Sequence, residues 1–310
     1  MRAYCRIAIT AVLLTILLIP GCAAEPPGKG PVVVGSKIDT EGALLAHTII
    51  LMLRDGGFAV EDKSYFGPTE IVRKALLTGE LDIYPEYTGS GMLFFPDTDP
   101  QVWQDAALGY ETVRQLDLAA NNIAWLQPAP ANNTWAIAVP KTLADAEQMA
   151  TLDDLARYLN VGGYFKIACS EEFVTSPAAL PAFQAAYGFQ LRQEQLLTLA
   201  GGNTAQTEQA AAQGIDGVNA AMAYGTDGAL SALGLVVLTD PRGAQPVYEP
   251  APTVRAEILD SYPEIADILN PVFRSMTLET LQLLNGRIAF GGEDAAEVAE
   301  DYLRTRGFLR

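Results

Sequence analysis

The chain has 310 residues, 49% hydrophobic and 18% charged, a balance that suits a globular protein of one or two lobes and excludes a disordered or fibrous chain. Its formal net charge of −17 argues against a nucleic-acid partner, because phosphate binding needs a basic face. The acidity otherwise reads as a solvated surface and says nothing direct about a ligand.

The opening stretch "MRAYCRIAITAVLLTILLIPGCAA" places Arg2 and Arg6 ahead of an apolar run from Ile7 to Ile19. That run is shorter than the roughly 20 residues a bilayer span requires and has the layout of a secretory signal. Gly21-Cys22 then resembles a bacterial lipoprotein cleavage box, with Pro20 unusual inside it; an ordinary signal peptide cut nearby is the competing reading. The expected division is a signal over 1–21 with lipid on Cys22 and a Pro/Gly-rich tether over 22–30, holding the folded part outside the cytoplasm at the cell envelope. Loss of Cys5 and acylation of Cys22 leave Cys169 alone, so no intramolecular disulfide forms and stability rests on the core.

"PVVVGSK" is a β-branched run, and "TEGALLAHTIILMLRDGG" follows with helical apolar spacing, Thr40 as the N-cap and Gly56-Gly57 as the stop. "FAVEDKSYFG" reads as a second strand. "PTEIVRKALLTG" reads as a helix with Pro68 in its first turn and Gly79 at its end, and "LDIYPEY" as a third strand. Alternation of strand and helix predicts an α/β fold with a parallel sheet, whose ligand crevice opens beyond the C-terminal strand ends. Lys37, Thr69, and the Tyr87–Ser90 turn fall there. A second alternating block begins at "NNTWAIAVP". Within it "AAAQGIDGVNAAMAYGTDG" repeats the order of "ALLTGELDIYPEYTG": helix end, glycine, acid, apolar strand, then Tyr and Thr in a glycine turn. The two read as equivalent corners of two similar lobes, with chance likeness of two αβ units as the rival explanation. The amphipathic helices at the C-terminus are expected to return to the first lobe.

Catalytic signals are weak. The single histidine, His47, lies inside an apolar helix, where packing is the expected role; a Cys-His dyad would require Cys169 to meet it. No His/Cys cluster has zinc spacing, "LAGGNTAQT" lacks the lysine of a phosphate loop, and no pair of carboxylates stands out as a hydrolase site. No metal or cofactor is expected. Tyr84 and Tyr87 lie on opposite faces of their strand, so one can pack inward while the other looks into the crevice, and Tyr224 ends the corresponding strand of the second block. A cage of ring faces is what a quaternary ammonium needs, since that cation has no N–H to donate. For any one of these tyrosines taken singly, core packing is the simpler role.

"VVVGSKIDTEGALLAHTI", "GELDIYPEYTGSG", "NNTWAIAVPK" and "AYGTDGAL…LVVLTD" together resemble the substrate-binding proteins of osmoprotectant ABC importers of the quaternary-ammonium type (glycine betaine, choline, carnitine), in the YehZ/OsmF-like branch, in order from about Val32 to the C-terminus. The resemblance implies a two-lobed periplasmic-binding-protein fold of type II with a hinge, a non-enzymatic monomer that docks on an ABC permease, and lobes over 31–130 plus 227–310 and over 131–226. Other readings are a receptor of the same fold for another polar solute and a secreted hydrolase. By resemblance Tyr87, Tyr110 and Tyr224 belong to the cage, while Leu180 stands where a further cage tyrosine is usual; Trp135 replaces a common Tyr as a candidate wall, a strand-core role being the alternative. Lys37 and Ser90 match groups that hold a ligand carboxylate, whereas Glu171 stands at an Arg or His position and Gly42 at a Gln. A kept cage with a weakened carboxylate clamp implies low affinity for glycine betaine or preference for a ligand with less negative charge.

Overall fold

The structure, a computed structural model, describes residues 29–199 and 204–309. The expected signal, the Cys22 lipidation site, most of the tether and the glycines of "LAGGNTAQT" lie outside the described residues.

Five elements follow the predicted order: β1 (Lys29–Lys37), α1 (Thr40–Asp55), β2 (Phe58–Gly67), α2 (Thr69–Thr78) and β3 (Ile83–Tyr87). Asp39, not Thr40, caps α1, its carboxylate accepting from the Gly42 N–H at 2.7 Å. Gly79 closes α2 in the left-handed region at φ 77°, as the sequence predicts. Leu44, Leu45, Ile49, Ile50 and Leu53 of α1 are wholly buried, packed among Val32, Val34 and Ile83 of the sheet and Val298 and Leu303 of the C-terminal helix Ala295–Thr305. That helix therefore completes the first lobe, as expected of the returning chain. Each such side chain contributes on the order of 1.5–3 kcal/mol by leaving water.

β1 pairs in parallel with β2 and β3, but the first sheet is mixed. β4 (Ile123–Trp125) and the late strand β10 (Pro250–Arg255) extend it to the order β2-β1-β3-β10-β4, with β10 antiparallel to both neighbours. The second sheet is built from β5 (Trp135–Pro140), β6 (Ile167–Ser170), β7 (Leu196–Leu199), β8 (Ala220–Tyr224) and β9 (Leu235–Val237), in the order β7-β6-β8-β5-β9. Here too a parallel trio is followed by an antiparallel strand, β5 against β8. A strand that has just crossed from the other lobe enters the sheet at the cleft end and runs against the trio, so the parallel expectation holds only for the trio. The two corners singled out by their shared pattern, β3 and β8, occupy the same place in the two sheets.

The division of the chain differs from the predicted one. β9 pairs with β5, so the chain stays with the second sheet through Val237 and rejoins the first at Pro250, later than the expected return at 227. Beyond β9 the chain still packs on the second lobe through Gln245, where Leu238 joins its core and the Gln245 amide donates to the Ala178 carbonyl, so the crossovers fall over 126–134 and 246–249. His47 sits on α1 in the first lobe, its Nδ1 3.7 Å from an Asp62 carboxylate oxygen, while Cys169 is buried in β6 of the second, and the two do not form a dyad. Burial pushes the Cys169 thiol up to about 11, against any nucleophilic role.

A buried ion pair ties the first lobe together: Arg73 of α2 donates to both oxygens of Asp117 at 2.8 and 2.5 Å, and the Trp125 indole N–H adds a third bond at 2.7 Å. Asp117→Ala leaves a buried guanidinium unpaired and is expected to cost about 3–5 kcal/mol in denaturant unfolding. A loss under about 1 kcal/mol would show that the pair does not hold these elements.

Candidate functional site

β3 and β8 deliver Tyr87 and Tyr224 as their last residues, and the incoming crossover strand begins beside each: Pro250 pairs with Tyr87, and Trp135 with Tyr224. Both rings line one cavity of about 550 Å³ between the lobes, together with Lys37, Thr69 and Ser90 from the first lobe. Tyr84, on the other face of β3, is wholly buried in the first lobe, as the alternation predicts.

A third tyrosine joins them. Tyr248, in the second crossover, lines the same cavity and is held from both sides by the first crossover: its N–H donates to Asn132 Oδ1 at 2.8 Å, and its carbonyl accepts from the Asn133 N–H at 2.9 Å. The ring lies so close over the Thr88–Ser90 turn that a Cβ on Gly89 would sit 2.7 Å from it, which explains the glycine. A Cβ on Gly225 would likewise meet the Asn132 carbonyl at 2.0 Å, so glycine there lets the turn after Tyr224 close on the crossover. Sequence reading missed Tyr248 because "AQPVYEP" carries neither strand nor helix periodicity; the only signal was an aromatic in a crossover segment.

The other expected site residues distribute unevenly. Trp135 stands behind Tyr224, centroids 6.4 Å apart and planes 25° apart, and lines an adjoining pocket of about 250 Å³ that also meets Tyr224 and Tyr248. Tyr110 does not line the cavity; its hydroxyl donates to the Trp125 carbonyl at 3.3 Å and packs with the first-lobe core. Glu171 is exposed at the start of the helix Glu171–Thr175 and does not line it either, and Leu180 is buried in the second-lobe core.

Charge in the site is mostly negative. Asp39, Glu41 and Asp227 line it, against Lys37 as the one basic lining residue. Glu41 is gripped by donors from three segments: the Tyr87 hydroxyl at 2.6 Å and the Asn133 amide at 3.1 Å on Oε1, and the Asn285 amide at 2.5 Å on Oε2. Burial raises the Glu41 pKa, while hydrogen bonds from Thr226, Tyr87 and Asn285 oppose the rise. Burial, and then the nearby Glu41 charge, push the Tyr87 phenol well above its ordinary value, so its hydroxyl remains a donor. Beneath Tyr224, Asp227 accepts the Tyr224 N–H at 2.7 Å and abuts Glu208, whose pKa is raised to about 10, first by burial and then by the Asp227 charge. Lys37 Nζ stands 4.7 Å from the centroid of the Tyr87 ring and 2.5 Å from Glu86 Oε1. Ring faces and carboxylates around one cavity suit a cation that cannot donate hydrogen bonds. Among the described residues no group of three His, Cys, Asp or Glu is placed to hold a metal.

Glu208 gives the protein a stability signature. Its pKa rises from an unfolded value near 4.5 to about 10, so the folded state keeps a proton that the unfolded state releases. Stability present below pH 4.5 is therefore expected to fall as pH rises toward 10. Glu208→Gln, neutral throughout, should flatten the decline in melting temperature between pH 5 and 9; superimposable profiles for the two proteins would contradict the assignment.

Comparison with known proteins gives a consistent picture. Residues 30–305 match the family described as the substrate binding domain of ABC-type glycine betaine transport systems. The chain is 53% identical over 299 residues to the glycine betaine-binding protein YehZ of Escherichia coli, covering 96% of each chain. It is 31% identical over 284 residues to a glycine-betaine-binding protein of Pseudomonas aeruginosa, covering 89% of this chain and 88% of that one. The solved structure of apo YehZ from Escherichia coli superposes with a TM-score of 0.87 at 55% identity, over 90% of this chain and 99% of that one.

Proposed function

Because the chain belongs to the family of substrate-binding domains of ABC-type glycine betaine transport systems, we propose that its cleft captures a small quaternary ammonium solute in an aromatic cage and presents it to a membrane permease. The family places the protein outside the cytoplasm. Among the described residues no helix is long and apolar enough to cross a membrane, and lipid on Cys22 is the attachment we propose. The chain acts as a monomeric receptor, not an enzyme, and the site needs no cofactor.

One observation carries this reading: Tyr87 of the first lobe and Tyr224 of the second line the same cavity. Tyr248, from the segment joining the lobes, adds a third ring there. A methylated ammonium offers only diffuse positive charge and apolar surface, which a ring face accepts and a hydrogen-bond acceptor cannot grip by N–H. Carboxylates at Glu41 and Asp227 favour the cation through the desolvated cavity. Two crossovers allow the lobes to close as bodies about 126–134 and 246–249, bringing the rings together on the ligand.

Titration calorimetry of the mature protein with choline, glycine betaine and carnitine tests the proposal. Tyr87→Ala is expected to weaken binding of whichever quaternary amine binds by about 1–2 kcal/mol, the scale of a desolvated cation–π contact. Tyr87→Phe keeps the ring and should bind within a few-fold of wild type, its lost bond to Glu41 costing about 1 kcal/mol of folding stability instead. Absence of binding by all three solutes would overturn the proposal.

A further inference from the structure

The cleft has a neighbour that shares its walls. The pocket of about 250 Å³ is lined by Asn133, Tyr224 and Tyr248, which also line the main cavity, and Met92 in the pocket is the chain neighbour of Leu93 in the cavity. Both lobes and the segment between them build it: Met92 comes from the first lobe, Trp135 and Gln245 from the second, and Tyr248 from the second crossover. Its sides are fixed by contacts of their own. The Gln245 amide is almost fully buried and donates to the Ala178 carbonyl at 2.7 Å. Trp135 stacks on Tyr224, and its side chain hydrogen-bonds the phenol, opposing the rise in pKa that burial causes there.

The two spaces differ in charge. The main cavity offers something to each end of a betaine: ring faces and carboxylates to the ammonium, Lys37 and the hydroxyls of Thr40 and Thr69 to the carboxylate. Among the described residues no charged side chain lines the pocket, whereas Trp135, Tyr224, Tyr248 and Met92 do. A charged group drawn into it would lose hydration without gaining a partner. A neutral arm would exchange water for ring faces and a thioether. At about 550 Å³ the main cavity alone falls in the range of roughly 300–1,000 Å³ that encloses drug-sized ligands. Glycine betaine is far smaller, and with both its charged ends in the main cavity it leaves the pocket unfilled.

We propose that this pocket is a second subsite, which receives a neutral planar arm carried by a quaternary amine whose charged groups occupy the main cavity. The cleft then holds glycine betaine through the main cavity alone and holds a betaine bearing such an arm more tightly, through both spaces. The proposal rests on the reading of the cleft as a quaternary ammonium site and adds the size and shape of the ligand.

Calorimetry on the mature protein with two probes tests this: glycine betaine, and N-benzyl-N,N-dimethylglycine, in which a benzyl group replaces one N-methyl and both charges stay. Wild type is expected to bind the benzyl compound about ten-fold more tightly, the scale of one added aromatic contact. Ala178 is exposed and lines the pocket but not the main cavity. Ala178→Leu narrows the pocket and should bring the two dissociation constants within about two-fold of each other, by weakening the benzyl compound alone. Met92→Ala removes a wall and should cost the benzyl compound about three-fold, the scale of a thioether–ring contact, with glycine betaine unmoved. The readout is the ratio of the two constants, because a general loss of fold weakens both probes alike and leaves the ratio where it was. A ratio moved by either variant supports the inference. A wild-type protein that binds the benzyl compound no more tightly than glycine betaine, or a ratio that neither variant moves, overturns it while the cage stands. Binding of neither probe overturns the reading of the cleft itself.

Discussion

Two antiparallel pairings fix everything that matters about the cleft. Where the chain passes between lobes it enters the receiving sheet beside the third strand of the parallel trio, Pro250 against Tyr87 and Trp135 against Tyr224. The crossover and the strand end are thus locked in register, and the aromatic residue that ends each strand lies at the seam between the lobes. The proline carbonyls of β10 are part of this lock: those of Pro252 and Pro250 accept from the Leu126 and Ala129 N–H groups at 2.9 and 2.8 Å, so the missing proline donors cost little where the acceptors carry the crossover. Glycine at 89 and 225 allows each turn to approach the crossover that enters the sheet beside it.

On this frame the polar groups divide into two sets. Glu41 draws together α1, β3, the first crossover and the helix Leu278–Ala289, through Tyr87, Asn133 and Asn285. Glu86 draws together β1, β3 and the turn after it, through Lys37, Tyr84 and Ser90. Both are carboxylates placed where the sheet ends, and both fix the aromatic faces by spending the donors around them.

Much of this was readable in the sequence, for identifiable reasons. Glycine stops and apolar spacing marked the first trio of strands and its helices, and the match between the "YPEYTG" and "AYGTDG" corners located the two strands that reach the cleft. What was missed lacks local periodicity. β10 reads as a proline-rich segment because its strand character comes from its two neighbours, and β9 is a three-residue apolar run too short to assign, which is why the return to the first lobe appeared earlier than it is. Tyr110 sits on an amphipathic helix, and sequence alone does not tell a ring facing the core from one facing the cleft. Glu86 and Lys37 are 49 residues apart, and only the β1–β3 pairing brings them together.

The central claim is that rings from both halves of the chain meet on a methylated ammonium. A crystal structure of the mature protein grown with choline measures this directly. The account predicts closed lobes with the quaternary nitrogen within about 6 Å of the ring centroids of both Tyr87 and Tyr224. Density for the ammonium elsewhere, or lobes shut with those two rings turned away from it, would contradict the account.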